Sequence, residues 1–341
     1  MHVTPLVWVI TLVVTIGVLI VDIAVIGRRP HAPSRREVGF FLALYVGLAI
    51  AFGAAVWLVS GSQYGTEFFA GWLTEYSLSV DNLFIFIIIL SRLAVPKVYH
   101  QEALFIGIVL ALVMRGIFIA VGGAAIEAFS WVFYLFGAFL VYTAAKLALG
   151  GPEDEDEYRE PALVAYARRK LPHTDTFRGA KLWVREHGRF WFTPMFMVML
   201  ALGMTDLLFA LDSIPAIYGL TQEPYLVFTA NVFALMGLRQ LYFLIGGLLE
   251  RLVFLSYGLA VLLAFIGVKL VLHALHTNEL PFINGGQPVL GAPEIPIPAS
   301  LGAIVGILAV TTVASLVVST RETPEERDEQ TGPRRESHPH Q

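Results

Sequence analysis

The sequence predicts an all-α polytopic membrane protein with about nine transmembrane helices, six of them forming two inverted three-helix repeats. Three observations predict it. Hydrophobic residues make up 56% of the 341-residue chain and charged residues 15%; the charges are bunched, leaving apolar runs of bilayer length; and the polar residues within those runs recur in two matching sets. The spans are 5–27, 38–59, 70–91, 101–122, 126–149, 193–218, 225–247, 250–275 and 299–318. The first reads as a retained span, since no Lys or Arg precedes its apolar stretch and Arg28 and Arg29 follow it.

The spans group into two N-terminal helices (1–69), a first repeat (70–149), a charged loop (150–192), a second repeat (193–275), a Pro-rich loop with the last helix (276–320) and a disordered tail (321–341). Orientation follows from the basic residues. With the N terminus outside, the inner segments receive Arg28, Arg29, Arg35, Arg36, Arg92, Lys97, the cluster from Arg159 to Arg189, Arg251 and the tail after Arg321. The outer segments 60–69, 219–224 and 276–298 contain no Lys or Arg. This is a positive-inside pattern with an odd number of spans and a cytoplasmic C terminus. The net charge of -4 averages over two compartments and says little about partners.

Within the charged loop, the acidic run from Glu153 to Glu157 reads as a solvated linker. Residues 177–192, with Trp183, Phe190 and Trp191 among basic side chains, suit the inner membrane surface. The sequence contains no cysteine, which excludes disulfides, thiolate metal sites and cysteine nucleophiles.

The repeat is carried by polar spacing. Glu127, Tyr134 and Lys146 stand at the same intervals as Glu250, Tyr257 and Lys269, Arg115 and Arg239 occupy the middle helix of each copy, and a carboxylate pair opens each copy: Glu75 and Asp81, then Asp206 and Asp212. Three spans per copy invert the second relative to the first, an arrangement common in secondary transporters. Carboxylates inside a bilayer cost at least a few kcal/mol each, so they mark function. Asp81 and Asp206 fall near mid-span, Glu75 and Asp212 toward the outer side, and Asp81 is expected to approach Asp206 across the pseudo-twofold interface.

On an unbroken helix, residues six apart are rotated by about 240° and separated by about 9 Å. Either the helix breaks or each pair is divided between roles. Ser77, Ser79 and Asn82, and Ser213 with Pro215, favour a break that frees oxygen ligands. Carboxylates, the Asn82 amide and the Ser79 and Ser213 hydroxyls are hard donors suited to Mn²⁺, Mg²⁺ or Ca²⁺. Met195, Met197 and Met199, two apart, wrap around their helix and read as packing. His273 and His276 are interfacial, with a vestibule as the alternative. Arg115 and Arg239 either neutralise a site acid or make structural contacts, while Lys146 and Lys269 snorkel toward helix ends.

The segments EYSLSVDNLFIF, ALVMRGIFI, TDLLFALDSIPAIYGLTQEPYLVFTANVFALMGLRQLYF and LPFINGG resemble the TerC family of integral membrane proteins, named for tellurium resistance and including bacterial manganese exporters. The resemblance implies a bacterial inner-membrane exporter of Mn²⁺ with Glu75, Asp81, Asn82, Asp206, Asp212 and Asn231 as the metal pathway. A pocket lined by carboxylates repels an oxyanion such as tellurite.

The expected function is therefore secondary export of Mn²⁺ or a similar divalent cation by proton exchange, serving metal homeostasis and resistance. Its partners are the cation, protons and the lipid bilayer, with no nucleic acid, no resident cofactor and no catalytic residue. No nucleotide-binding P-loop is present, and the Gly-x-Gly-Asp context of an intramembrane aspartyl protease is absent. The alternative is a noncatalytic membrane scaffold in a stress or tellurium-resistance complex.

Overall fold

The computed structural model describes residues 3–28, 34–149, 162–186, 189–245, 254–289 and 291–319. Glu250, Arg251, the run Glu153–Glu157 and the tail from 320 onward lie outside the described residues, as do the side chains of Asp22 and Asp81. The helices are α1 (Pro5–Arg28), α2 (Arg35–Ser60), α3 (Ser62–Arg92), α4 (His100–Ala128), α5 (Val132–Leu149), α6 (Ala162–Lys170), α7 (Pro194–Tyr218), α8 (Pro224–Ile245), α9 (Leu255–His276) and α10 (Ile297–Ser319). Eight of them, α2–α5 and α7–α10, are long and apolar enough to cross a membrane, and α1 adds a shorter apolar stretch, Pro5–Val18.

Two expectations are corrected here. The segment 60–69 is not an outer loop. Gly61, at φ 106°, joins α2 directly to α3 while its N–H still caps the Trp57 carbonyl at 3.1 Å. A left-handed turn at glycine costs little, so a single residue reverses the chain and α3 starts at Ser62. Glu75 thereby moves from the outer part of a short span to near the middle of a 31-residue helix. The second correction concerns helix breaks. Neither α3 around Ser79 and Asn82 nor α7 around Ser213 is interrupted, and Pro215 lies inside α7. Pro215 is three residues from the end of that helix, where the lost backbone hydrogen bond disturbs only the last turn.

Between α6 and α7, the aromatic segment forms a two-stranded antiparallel hairpin, β1 (Trp183–Glu186) with β2 (Arg189–Phe192), pairing Trp183 with Phe192 and Val184 with Trp191. Trp183 and Phe190 are exposed.

Helix packing follows the repeat. The repeats are α3–α5 and α7–α9, and α3 packs on α8 as α7 packs on α4. The contacts α5 with α9, α3 with α7 and α4 with α8 join corresponding helices. Exchanging the copies maps this set of contacts onto itself, which is what an internal two-fold axis produces. Helices α5 and α9 approach backbone to backbone. A Cβ on Gly137 would stand 2.9 Å from the Gly267 carbonyl oxygen, and one on Gly267 3.0 Å from that of Gly137. Small residues let membrane helices pack backbone against backbone.

The main buried cluster joins α3, α4, α7 and α8 and includes Met195, Met197 and Met199, all buried as packing predicts. Helix α1 docks on α8 through a Thr11–Tyr225 hydrogen bond of 2.8 Å and the Trp8 ring against Tyr225.

Candidate functional site

The two-fold arrangement brings one carboxylate from each repeat to a single guanidinium. Arg115 on α4, fully buried, donates from Nη1 to Glu75 Oε2 at 2.5 Å and from Nη2 to Asp206 Oδ1 at 3.5 Å. Its Nη1 also donates to Asn231 Oδ1 at 2.8 Å. Asn231 is oriented locally: its Nδ2 donates to the Val227 carbonyl one turn back at 2.9 Å, which leaves the amide oxygen facing Arg115. Four helices, α3, α4, α7 and α8, thus meet at one polar centre.

The centre is under-satisfied. Among the described residues, Glu75 Oε1, Asp206 Oδ2 and Arg115 Nε have no hydrogen-bond partner, and neither do the buried hydroxyls of Thr74, Ser79 and Ser213. A buried polar atom without a partner costs about 1–3 kcal/mol. Two carboxylates facing one guanidinium also leave one negative charge uncompensated when both are ionised, and a buried charge requires a partner.

Helix periodicity explains which predicted residues join this centre. On α3, positions 75, 79 and 82 fall within about 60° of one another, so Glu75, Ser79 and Asn82 form one stripe, and all three are buried. On α7, Asp206 and Ser213, seven apart, share a face. Asp212 does not join them. It is half-buried and accepts a hydrogen bond of 3.0 Å from Thr143 on α5. Because α7 is unbroken, its acid pair is divided between two neighbours. The expected approach of Asp81 to Asp206 falls on a side chain outside the described residues; the described pair that converges is Glu75 with Asp206. Arg239, also buried, lies farther along α8, and with the Gln240 amide oriented by its hydrogen bonds the Gln240 oxygen is 3.0 Å from an Arg239 Nη. Among the described residues, no three His, Asp or Glu side chains cluster as metal ligands.

The family model described as the integral membrane protein TerC family matches residues 60–323. The chain belongs to the TerC family. The match spans both repeats and hence every residue of the Arg115 centre. This TerC chain is 48% identical to the uncharacterized membrane protein Rv2723 of Mycobacterium tuberculosis over 318 residues, 92% of this chain and 80% of the relative. It is 39% identical to the uncharacterized membrane protein STKORF319 of Myxococcus xanthus, covering 93% of each chain. It is 36% identical to Alx of Escherichia coli, covering 93% of this chain and 96% of the relative, whose name describes a proposed membrane-bound redox modulator. No solved structure matches the TerC chain.

One buried acid escapes sequence reasoning. Glu67, 5% exposed, sits in the segment that reads as an outer loop, and it becomes part of the interior only because α3 starts at Ser62. The signal was its spacing. Glu67, Gly71, Thr74 and Glu75 fall within about 100° of one helix face.

Proposed function

We propose that this TerC chain is a secondary transporter that exports a divalent metal cation, Mn²⁺ foremost, through the Glu75–Arg115–Asp206 centre in exchange for protons. The single observation that carries the proposal is the meeting of one carboxylate from each inverted repeat at a fully buried arginine, with an oxygen of each carboxylate unpartnered among the described residues. A site at the interface of inverted repeats is exposed alternately to the two sides when the repeats rock against each other.

The chemistry is an exchange of cations. Arg115 and a proton together neutralise the two acids; a divalent ion neutralises both alone and releases the proton. Oxygen donors from Glu75, Asp206, Ser79, Asn82 and the Asn231 amide, with position 81 completing the acid pair, favour Mn²⁺ over softer metals. Asp212 with Thr143 would serve as a second station toward the outer side, and with Arg115 retained the exchange of one proton for one divalent ion would take the centre from zero to one net positive charge. In this reading the N terminus lies outside, the C terminus in the cytoplasm, and the membrane is the bacterial inner membrane.

The test is metal uptake by inverted vesicles, scanned across Mn²⁺, Mg²⁺, Ca²⁺ and Zn²⁺, for the wild type and the near-isosteric variants Glu75→Gln and Asp206→Asn. Both variants should abolish Mn²⁺ uptake at unchanged amounts of membrane protein, and Lys146→Gln should be far milder. Equal loss in all three at equal expression points to generic damage, and no uptake by folded wild type moves the scaffold reading to first place.

A further inference from the structure

From α6 to the start of α7, residues 162–192 carry seven Lys and Arg against two acids, Asp175 and Glu186. The basic side chains are all exposed, among them Lys181, Arg185 and Arg189 in and beside the hairpin and Arg169 and Lys170 at the end of α6. The same stretch exposes two large rings, Trp183 at 57% and Phe190 at 60%.

The hairpin register sorts these residues. Cross-strand partners share a face, and neighbours along a strand alternate between faces. Trp183, Arg185, Phe190 and Phe192 therefore lie on one face, and Val184, Arg189 and Trp191 on the other. Phe192 roots the first face: its ring stands against that of Phe196 on α7, with centroids 4.4 Å apart. Beyond that root the face is open, and the Arg185 guanidinium lies over the Phe190 ring, 5.7 Å from its centroid. A cation held against an aromatic face keeps charge and apolar surface side by side. Trp191, which composition groups with the other two rings, is turned away and partly buried.

The position of this face is set by α7. Thr193, fully buried, is the single residue between β2 and α7; its N–H donates to the Leu182 carbonyl at 3.0 Å and its hydroxyl to the Lys181 carbonyl at 2.5 Å. Leu171, Phe177 and Leu182 pack on the main buried cluster, which holds the hairpin to the bundle end. Helix α7 is long and apolar enough to cross a membrane. Four residues of extended chain reach at most about 14 Å, so Phe190 stays within reach of the headgroup layer beside the start of α7.

We propose that the Trp183–Arg185–Phe190 face docks on anionic phospholipid headgroups of the bilayer that α7 spans. Aromatic rings concentrate at the membrane interface, and a guanidinium matches a phosphate with two parallel hydrogen bonds. The excess of basic side chains gives the preference for anionic over zwitterionic lipid, since each Lys or Arg near such a surface raises attachment about fivefold. Docking of the hairpin is independent of what the bundle transports.

The test uses full-length protein in nanodiscs of phosphatidylcholine, with and without phosphatidylglycerol. Because the sequence contains no cysteine, Trp183→Cys accepts a single bimane label, and a lipid carrying a nitroxide at its headgroup reports contact by quenching. Quenching should be several-fold stronger in the anionic nanodiscs and should weaken in high salt. Arg185→Gln should lower the docked-to-free ratio about fivefold, and Arg185→Lys should restore most of it. Hydrogen exchange of the hairpin amides in the unlabelled wild type, expected to be slower in the anionic nanodiscs, decides the matter if the labelled variant does not fold. Quenching and exchange that are equal in the two lipids overturn the proposal, and so does a face that becomes protected only when soluble protein is added, which would belong to a protein partner.

Discussion

Replacing Arg115 by methionine would leave Glu75 and Asp206 buried with no cation between them. Breaking a buried ion pair from one side costs about 3–5 kcal/mol, because the remaining charge is stranded. Arg115→Met should therefore lower the thermal unfolding midpoint of the detergent-solubilised protein strongly. Adding Glu75→Gln in the same chain should recover part of that loss, since one stranded charge is then removed. A double variant no more stable than Arg115→Met alone would mean that the Arg115–Glu75 contact of 2.5 Å carries no coupling energy. The same reasoning gives Asn231 its place: its amide nitrogen is occupied by the Val227 carbonyl, so its oxygen is pre-aimed and adds a neutral acceptor at no charge cost.

At the scale of helices, α5 and α9 cross backbone to backbone within the two-fold arrangement. Gly137→Val would place side-chain atoms where the Gly267 carbonyl and the Val271 side chain already stand, 2.9 and 2.7 Å from the first added carbon. The backbones must part, and overpacking of this kind costs about 1–3 kcal/mol. The expected result is a lowered unfolding midpoint for Gly137→Val beside an unchanged one for Gly302→Ala, whose added carbon meets open space. Because α5 also supplies Thr143 to Asp212, the Gly137 variant should impair metal flux more than its stability loss alone accounts for.

Across the whole molecule, topology and proton linkage are open to direct measurement. The absence of cysteine makes any introduced thiol unique. A membrane-impermeant maleimide should label Phe282→Cys on intact cells and Tyr166→Cys only after permeabilisation, both native side chains being well exposed; the reverse pattern would invert the orientation. In proteoliposomes with the membrane potential clamped, Mn²⁺ movement should drive protons the opposite way. Carboxylates must give up protons to bind metal, so apparent Mn²⁺ affinity should fall as pH falls, by about tenfold per pH unit where one proton is displaced per ion. Flux indifferent to the pH gradient would leave a potential-driven pathway in place of exchange.

Apolar run length and the sign of loop charge are local properties, and they determined the membrane class, the helical fold and the approximate spans from sequence alone. Polar spacing did the same for the repeat, because a helix places residues by number: the matched positions of Glu75 and Asp206, of Arg115 and Arg239, are readable without coordinates. Which acids converge was a tertiary matter. It depended on whether α7 breaks at Ser213 and Pro215, and an unbroken helix sends Asp206 to Arg115 and Asp212 to Thr143. Glu67 was hidden for a related reason. Its burial follows from one left-handed glycine, Gly61, that converts an expected loop into the first turns of α3, and hydropathy does not register a polar helix start whose apolar cover comes from α7, α9 and α10. A cavity beside Glu67 exists only where those helix ends meet, so a carboxylate in a segment that reads in sequence as an outer loop is, in the fold, a buried side chain in a cavity wall.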